Sequence, residues 1–263
     1  MSHPQLPEYF YELFNPSLPR LGPGSDECTK RALDLLGLTN AQPVGEASEK
    51  MLRILDVGCG NGTQTIQLAK HLNGSILAVD NHQPFLDELK HRANIAGVFD
   101  KIQLRLEDMC DLKLAEGSLD LIWSESSIFI IGFEQGLKSW RKFLAQGGMM
   151  GVSEMCWLRS DPPAECVEFI DNVYPTMMSI EASLETITRS GYDTLSHFTF
   201  PESAWWDSLY TPLEERLKVH RKMYFADNDR MALINAIQAE IDNFRKYSEY
   251  YGYEFFLIRK SDD

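Results

Sequence analysis

The sequence predicts an α/β protein built on a mostly parallel sheet with helices on both faces, and three observations predict it. Short apolar runs alternate with helix-patterned segments over about 100 residues, the signature of strands joined by helical crossovers. Gly, Pro, Asn and Asp punctuate those runs, where they end strands and open turns. Composition is that of an ordinary globular chain, 263 residues of which 44% are hydrophobic and 24% charged, enough for one sizeable core with an appended cap.

The elements follow in order. Ser25–Leu36 reads as a helix, with Ser25 as its cap and Pro23 just before it, because a serine oxygen can satisfy an unpaired N–H of the first turn. "NAQPVGEASEK" is a polar connector. Strands are expected at Leu52–Val57, Ser75–Asp80, Ile102–Glu107, Leu119–Ser124 and Met149–Glu154, and helices at Thr63–Leu72, Pro84–Ala96 and Gly132–Leu144. Two later runs, Tyr192–Phe200 and Tyr251–Lys260, read as strands, with a helical insertion at about 202–250 between them.

Bulk chemistry narrows the function. Lys and Arg number 25 against 39 Asp and Glu, a formal net charge of −14. That disfavours nucleic-acid partners, whose binding rests on basic side chains displacing counterions, and suits a small neutral or cationic substrate. No run approaches the roughly 20 apolar residues of a membrane span. The first residues, "MSHPQLPEYFYELF", lack the basic start and apolar stretch of a secretory signal, so a cytoplasmic location is expected. The five cysteines are odd in number and show no C-x-x-C spacing, which suggests reduced thiols and neither disulfides nor zinc. No His/Asp/Glu cluster resembles a metal site.

The informative stretch is "ILDVGCGNGTQTIQLAKHL", Ile54 to Leu72. A strand, a tight glycine turn and a helix N-terminus form a site for an adenosine cofactor. The dinucleotide fingerprint G-x-G-x-x-G requires a third glycine where this chain has Thr63, and Asp56 would repel a pyrophosphate. A carboxylate there suits a ligand that carries an ammonium group, so a nicotinamide-dependent oxidoreductase is the weaker reading.

"LDVGCGNG" (Leu55–Gly62) resembles the first motif of the class I S-adenosylmethionine-dependent methyltransferases. "ILAVD" ending at Asp80, "LEDM" (Leu106–Met109), "LDLIWSE" (Leu119–Glu125) and "GGMMGVSE" (Gly147–Glu154) resemble the motifs that follow. The resemblance implies a Rossmann-like seven-stranded methyltransferase fold, mostly parallel with one antiparallel strand. It implies S-adenosyl-L-methionine as cofactor, S-adenosyl-L-homocysteine as product and a small-molecule methyl acceptor. By the same match, Asp56, Gly58, Cys59, Gly60, Gly62, Thr63 and Gln64 meet the cofactor at the first turn. Asp80 and Asn81 hold its ribose, Asp108 and Met109 its adenine, and Ser124 and Glu125 its methionyl end. "RLGPGS" (Arg20–Ser25) and "WSESSIFIIGFEQG" (Trp123–Gly136) are similar to a branch of bacterial small-molecule methyltransferases. There residues 1–50 would form a helical segment that lids the cofactor, with Arg20 and Gly24 beside it, and residues 51–263 the catalytic domain. A catalytically silent cofactor-binding sensor or partner subunit is the alternative, and nothing requires a homodimer.

Methyl transfer needs alignment above all, and a general base only where the acceptor must lose a proton. Glu125, after the fourth strand, is the candidate catalytic residue, with Glu154 at the end of the fifth in support. Trp157, Tyr174, Trp205, Trp206 and Tyr210 are expected to wall the acceptor pocket with Glu154, since aromatic walls suit apolar or cationic ligands.

Overall fold

A computed structural model describes residues 6–39 and 51–262; the connector expected at Asn40–Lys50 lies outside the described residues. Two helices lead in, α1 (Glu8–Leu13) and α2 (Asp26–Leu35). The Ser25 Oγ accepts the Cys28 N–H at 3.1 Å and caps α2 as its sequence predicts. The alternating half follows as β1 (Leu52–Val57), α3 (Thr63–His71), β2 (Gly74–Asp80), α4 (Gln83–Ile95), β3 (Ile102–Leu106), β4 (Leu119–Ser124) and α5 (Phe133–Arg141). Then come β5 (Leu144–Trp157), α6 (Ala164–Val173), β6 (Met178–Ser179), α7 (Ile180–Arg189) and β7 (Tyr192–Thr199). A run of α8 (Ser203–Trp205), a π-helical turn (Trp206–Tyr210), α9 (Thr211–Met223) and α10 (Asn228–Tyr247) precedes β8 (Tyr251–Lys260).

The sheet order is β3-β2-β1-β4-β5-β8-β7, and β8 runs antiparallel to both of its neighbours. This is the Rossmann-like fold, with one strand more than the seven expected: β6, two residues long, pairs with the end of β5. β5 itself extends beyond Met149–Glu154 in both directions: at its start Leu144 pairs with Leu119 of β4, and at its end β8 pairs with it as far as Trp157. Such a long-range partner is invisible to local pattern.

Successive side chains on a strand point to opposite faces, and the two cores divide accordingly. Ile54, Leu121, Trp123, Phe255 and Leu257 join the helices α2, α3, α4 and α10 on one face. Leu55, Val57, Ile122, Val152, Phe256 and Ile258 join α5 and α7 on the other. Both faces of the central strands are therefore buried, which is why they read as continuous apolar runs. Among the described residues no helix is long and apolar enough to cross a membrane.

Candidate active site

The glycine turn is built as its composition requires. Gly58, Gly60 and Gly62 all have positive φ, at 69°, 53° and 82°, a region costly for residues with a Cβ. The turn carries the chain from β1 into α3 and folds back on two carboxylates. Asp80, at the end of β2, accepts the Gly60 N–H on Oδ2 and the His82 N–H on Oδ1, both at 2.9 Å. Burial pushes its carboxyl up while these backbone bonds oppose the shift. Each oxygen keeps a further lone pair for a hydroxyl.

Asp56 is 0% exposed. Its Oδ2 accepts the Thr65 hydroxyl at 2.5 Å, whereas Oδ1 has no partner. Burial raises its carboxyl to about 7, with the Thr65 and Gln64 side chains opposing and Glu125 and Asp80 adding negative potential. A buried acid left half-satisfied is costly unless something completes it, and a cationic group does so best. Cys59 is buried and its thiol pushed up by desolvation; its carbonyl accepts Gln64 Nε2 at 3.0 Å. Cys59 and Gln64 thus shape the turn.

The neighbouring expected residues gather at the same edge. Asn81 is exposed beside Asp80, Asp108 Oδ1 accepts the Cys110 N–H at 2.9 Å, and Met109 Cε lies 3.0 Å from where a Cβ on Gly58 would stand. Sequence reasoning missed Tyr11. Its ring stacks on His82 at 3.8 Å and 6°, with Phe85 against both. No local signal marks Tyr11, because its partners lie some seventy residues away.

Residues 16–24 form a strap across this edge. Arg92 of α4 and Asn61 of the turn donate to the carbonyls of Pro16 and Leu18. Thr63, expected at the cofactor, donates its hydroxyl to the Pro19 carbonyl at 2.8 Å. Leu21 covers Gly60, and Gly22 and Gly24 pass close to Ser126 and Glu125. The Gly24 carbonyl accepts the Ser208 hydroxyl at 2.8 Å.

Arg20 is buried, and its guanidinium is already committed: Nη1 to Glu125 Oε1 at 2.7 Å and Nη2 to Asp26 Oδ1 at 2.9 Å. Glu125 is equally committed, since its Oε2 accepts Thr29 Oγ1 at 3.0 Å and Trp123 Nε1 at 3.1 Å. Glu125, expected as the catalytic residue, thus also anchors the strap. Sequence could not reveal this, because the partners Arg20 and Thr29 precede it by about a hundred residues.

After Glu125 the chain turns at Ser126, the non-glycine residue with positive φ, 56°. Such a conformation costs of order 1 kcal/mol or more. Two bonds hold it: its N–H donates to Ser153 Oγ at 2.7 Å and its hydroxyl to the Pro23 carbonyl at 2.6 Å. Ser124 is buried with its hydroxyl 2.8 Å from that of Ser127, which donates to the Val57 carbonyl. These contacts draw the ends of β1, β4 and β5 together.

Next to Ser153 lies Glu154, 2% exposed. Its Oε1 accepts the Tyr174 hydroxyl at 2.7 Å and the Met155 N–H at 2.8 Å, and its Oε2 has no partner. Burial raises this carboxyl to about 7 against the pull of both bonds.

The other expected pocket residues separate from this pair. Trp205 is 3% exposed and stacks on Phe244 of α10 at 4.2 Å. Tyr210 is buried with its hydroxyl on Glu240, Trp206 packs beside Phe244 under Arg245, and Trp157 meets Tyr251 on the opposite face of β5 from Glu154. Three of these aromatics, Trp205, Trp206 and Tyr210, cement α10 to the sheet; aromatic residues in a helical cap bury most area that way. Only Tyr174 of the expected aromatics touches Glu154.

Comparison with known proteins agrees with this architecture. Residues 54–148 match the family described as "Methyltransferase domain". A 27-O-demethylrifamycin SV methyltransferase from Amycolatopsis mediterranei is 23% identical over 219 residues, covering 80% of this chain and 78% of its own. The methyltransferase GfsG of Streptomyces halstedii is 25% identical over 131 residues, a match that spans 44% of this chain and 47% of the relative. Among solved structures, an S-adenosylmethionine-dependent methyltransferase from Geobacter sulfurreducens, in complex with S-adenosyl-L-homocysteine, superposes with a TM-score of 0.78 at 18% identity. It covers 97% of this chain and 98% of its own.

Proposed function

We infer that the chain is a class I S-adenosylmethionine-dependent methyltransferase that acts on a small-molecule acceptor at the joined ends of β4 and β5. The observation that carries this reading is Asp56: a fully buried carboxylate behind the glycine turn, with one oxygen left for a cation. The ammonium of the cofactor's methionyl end is such a cation. When bound, the cofactor supplies a methyl carbon attached to a positively charged sulfur and leaves as S-adenosyl-L-homocysteine.

The chain's own residues bind and orient. Asp56 would hold the ammonium, Asp80 the ribose hydroxyls with its spare lone pairs, and Asp108 and Met109 the adenine. Tyr11 and His82 add an aromatic wall beside Asp80. The strap closes over Gly60 and excludes water, and its anchoring by Arg20, Glu125 and Asn61 sets how firmly it closes. Alignment in a dry site can supply much of the rate enhancement without chemistry by a side chain. The enzyme is cytoplasmic on this reading, and the site needs no second copy of the chain to complete it.

Calorimetric titration tests the reading. S-adenosyl-L-methionine and S-adenosyl-L-homocysteine bind the wild-type protein, NAD does not, and Asp56→Asn weakens S-adenosyl-L-methionine binding. Absence of binding at millimolar concentration, or NAD binding in its place, overturns it.

A further inference from the structure

The acids at the joined strand ends point to a substrate class. This step rests on the methyltransferase reading. Glu125 has a partner on both oxygens and its charge is neutralised by Arg20, so it is committed to the strap. Glu154 is nine-tenths buried, one residue beyond the Ser126–Ser153 contact, and keeps Oε2 unpaired.

The surroundings of Glu154 are aromatic and apolar. Tyr174 holds its Oε1, and Phe129 meets the Tyr174 ring edge-on at 6.3 Å. Phe129, Ile130 and Val173, which neighbours Tyr174 in sequence, are 42%, 43% and 56% exposed. A buried carboxylate oxygen without a partner, beside the Tyr174–Phe129 ring pair and exposed apolar side chains, favours a cation on an apolar body. The chain's net charge of −14 draws cations toward it.

We propose that the methyl acceptor is an amine on an apolar skeleton, and that Glu154, held by Tyr174, binds its ammonium and takes its proton. The ammonium N–H passes its proton to Glu154 Oε2 and leaves the electron pair on nitrogen. That pair forms the N–CH3 bond as the C–S bond breaks and its electrons pass to sulfur. The positive charge moves from sulfur to nitrogen, and Glu154 returns its proton to solvent.

Acid strengths match the two groups. A carboxyl raised to about 7 lies about three units from an ordinary amine but far more from an aliphatic alcohol, and proton transfer is efficient when the two are close. The titratable groups around Glu154 are Tyr174, Cys156 two residues on along the same strand face, Glu254, its register partner on β8, and Tyr253 beside Glu254, its hydroxyl pushed up by burial and by the Glu154 charge. Behind Glu254 stands His197 of β7, its Nδ1 2.5 Å from Glu254 Oε1. Burial raises the Tyr174 hydroxyl and lifts Cys156 to about 12, where Glu154, Glu254 and Glu181 of α7 add negative potential. Tyr174, Tyr253 and Cys156 therefore do not ionise near pH 7. Asp56 of the cofactor edge does, so the rate limb is assigned to Glu154 by its loss in Glu154→Gln and its retention in Asp56→Asn.

The test uses a panel of aralkyl amines, including phenethylamine and tyramine, matched with 2-phenylethanol and 3-phenylpropionate, with methyl-labelled S-adenosyl-L-methionine and mass spectrometry of the product. Amines are expected to be methylated and the alcohols and acids left unchanged. Glu154→Gln lowers kcat/KM on the amine about 100-fold or more and removes the pH limb near 7, with the Kd for S-adenosyl-L-methionine unchanged. Tyr174→Phe keeps turnover but moves that limb upward, which separates proton handling from mere packing. The inference is overturned if a protein that binds the cofactor methylates no amine in the panel, or if Glu154→Gln keeps the wild-type rate and pH profile. Failure to bind the cofactor at all overturns the underlying methyltransferase reading.

Discussion

The carboxyl end of β4 lies beside β5 at Val152, yet the acids just beyond that pair are treated in opposite ways. Glu125 on the β4 side is met by Arg20, Thr29 and Trp123, so that neither oxygen is idle. Glu154 on the β5 side keeps one oxygen unpaired, as Asp56 does behind the glycine turn. A saturated buried acid holds elements together, because loss of any partner leaves an uncompensated charge. A half-satisfied one holds stability in reserve for a ligand. Position along the strand is therefore insufficient to tell an acid spent on its neighbours from one with an oxygen to spare; the occupancy of its oxygens does.

The sharpest way to break this contrast is to remove the partner from the saturated side. Arg20→Ala leaves Glu125 buried and unpaired, and is expected to destabilise the protein by about 3–5 kcal/mol in urea denaturation. A second change, Glu125→Gln, should recover part of that loss. If Arg20→Ala costs no more than a surface substitution, Glu125 is freer than its hydrogen bonds indicate.

The half-satisfied side makes a prediction in pH. The Asp56 carboxyl stands near 7 in the folded protein against about 4 unfolded, so the folded state binds its proton more tightly. Its contribution to the stability of the ligand-free protein is full below pH 4 and is lost as pH rises through about 7, to the extent of a few kcal/mol. Glu154 has the same sign. In Asp56→Asn that decline is reduced, which thermal unfolding from pH 5 to 8 measures; parallel curves for the two proteins would contradict it.

Smaller effects sharpen the picture of the cofactor edge. Asp80→Asn keeps one acceptor for the turn but loses the charge-assisted bonds, and should weaken S-adenosyl-L-methionine binding by roughly 10- to 100-fold in calorimetry. Tyr11→Ala removes the ring stacked on His82 and should weaken it by roughly 3- to 10-fold, with Tyr11→Phe close to wild type. An equal loss in Tyr11→Phe would mean that the hydroxyl matters and the ring does not.

The cofactor edge was the more legible half of the site. Asp56, the three glycines and Asp80 sit within 25 residues on two adjacent strands, and their geometry follows from a strand–turn–helix unit whose contacts are mostly local. Gly60 and Asp80 meet because β1 and β2 pair in parallel and in register. The acceptor side was legible only in part. The Glu154–Tyr174 bond spans 20 residues, through a helix and a loop that carried no motif. Trp205, Trp206 and Tyr210 advertise a pocket by composition, but α10 packs over them.

What the amino-acid sequence determined by itself was the alternation of strands and helices, the glycine turn and the acids at the ends of β1 and β2. Those features depend on hydrophobic period and on backbone conformations that few residues adopt. What only the tertiary structure decided was which charges are spent on one another. Arg20 is paired with Glu125 across 105 positions, and β8 returns antiparallel between β5 and β7. Contacts of that span depend on how the whole chain packs, and no local window contains both partners.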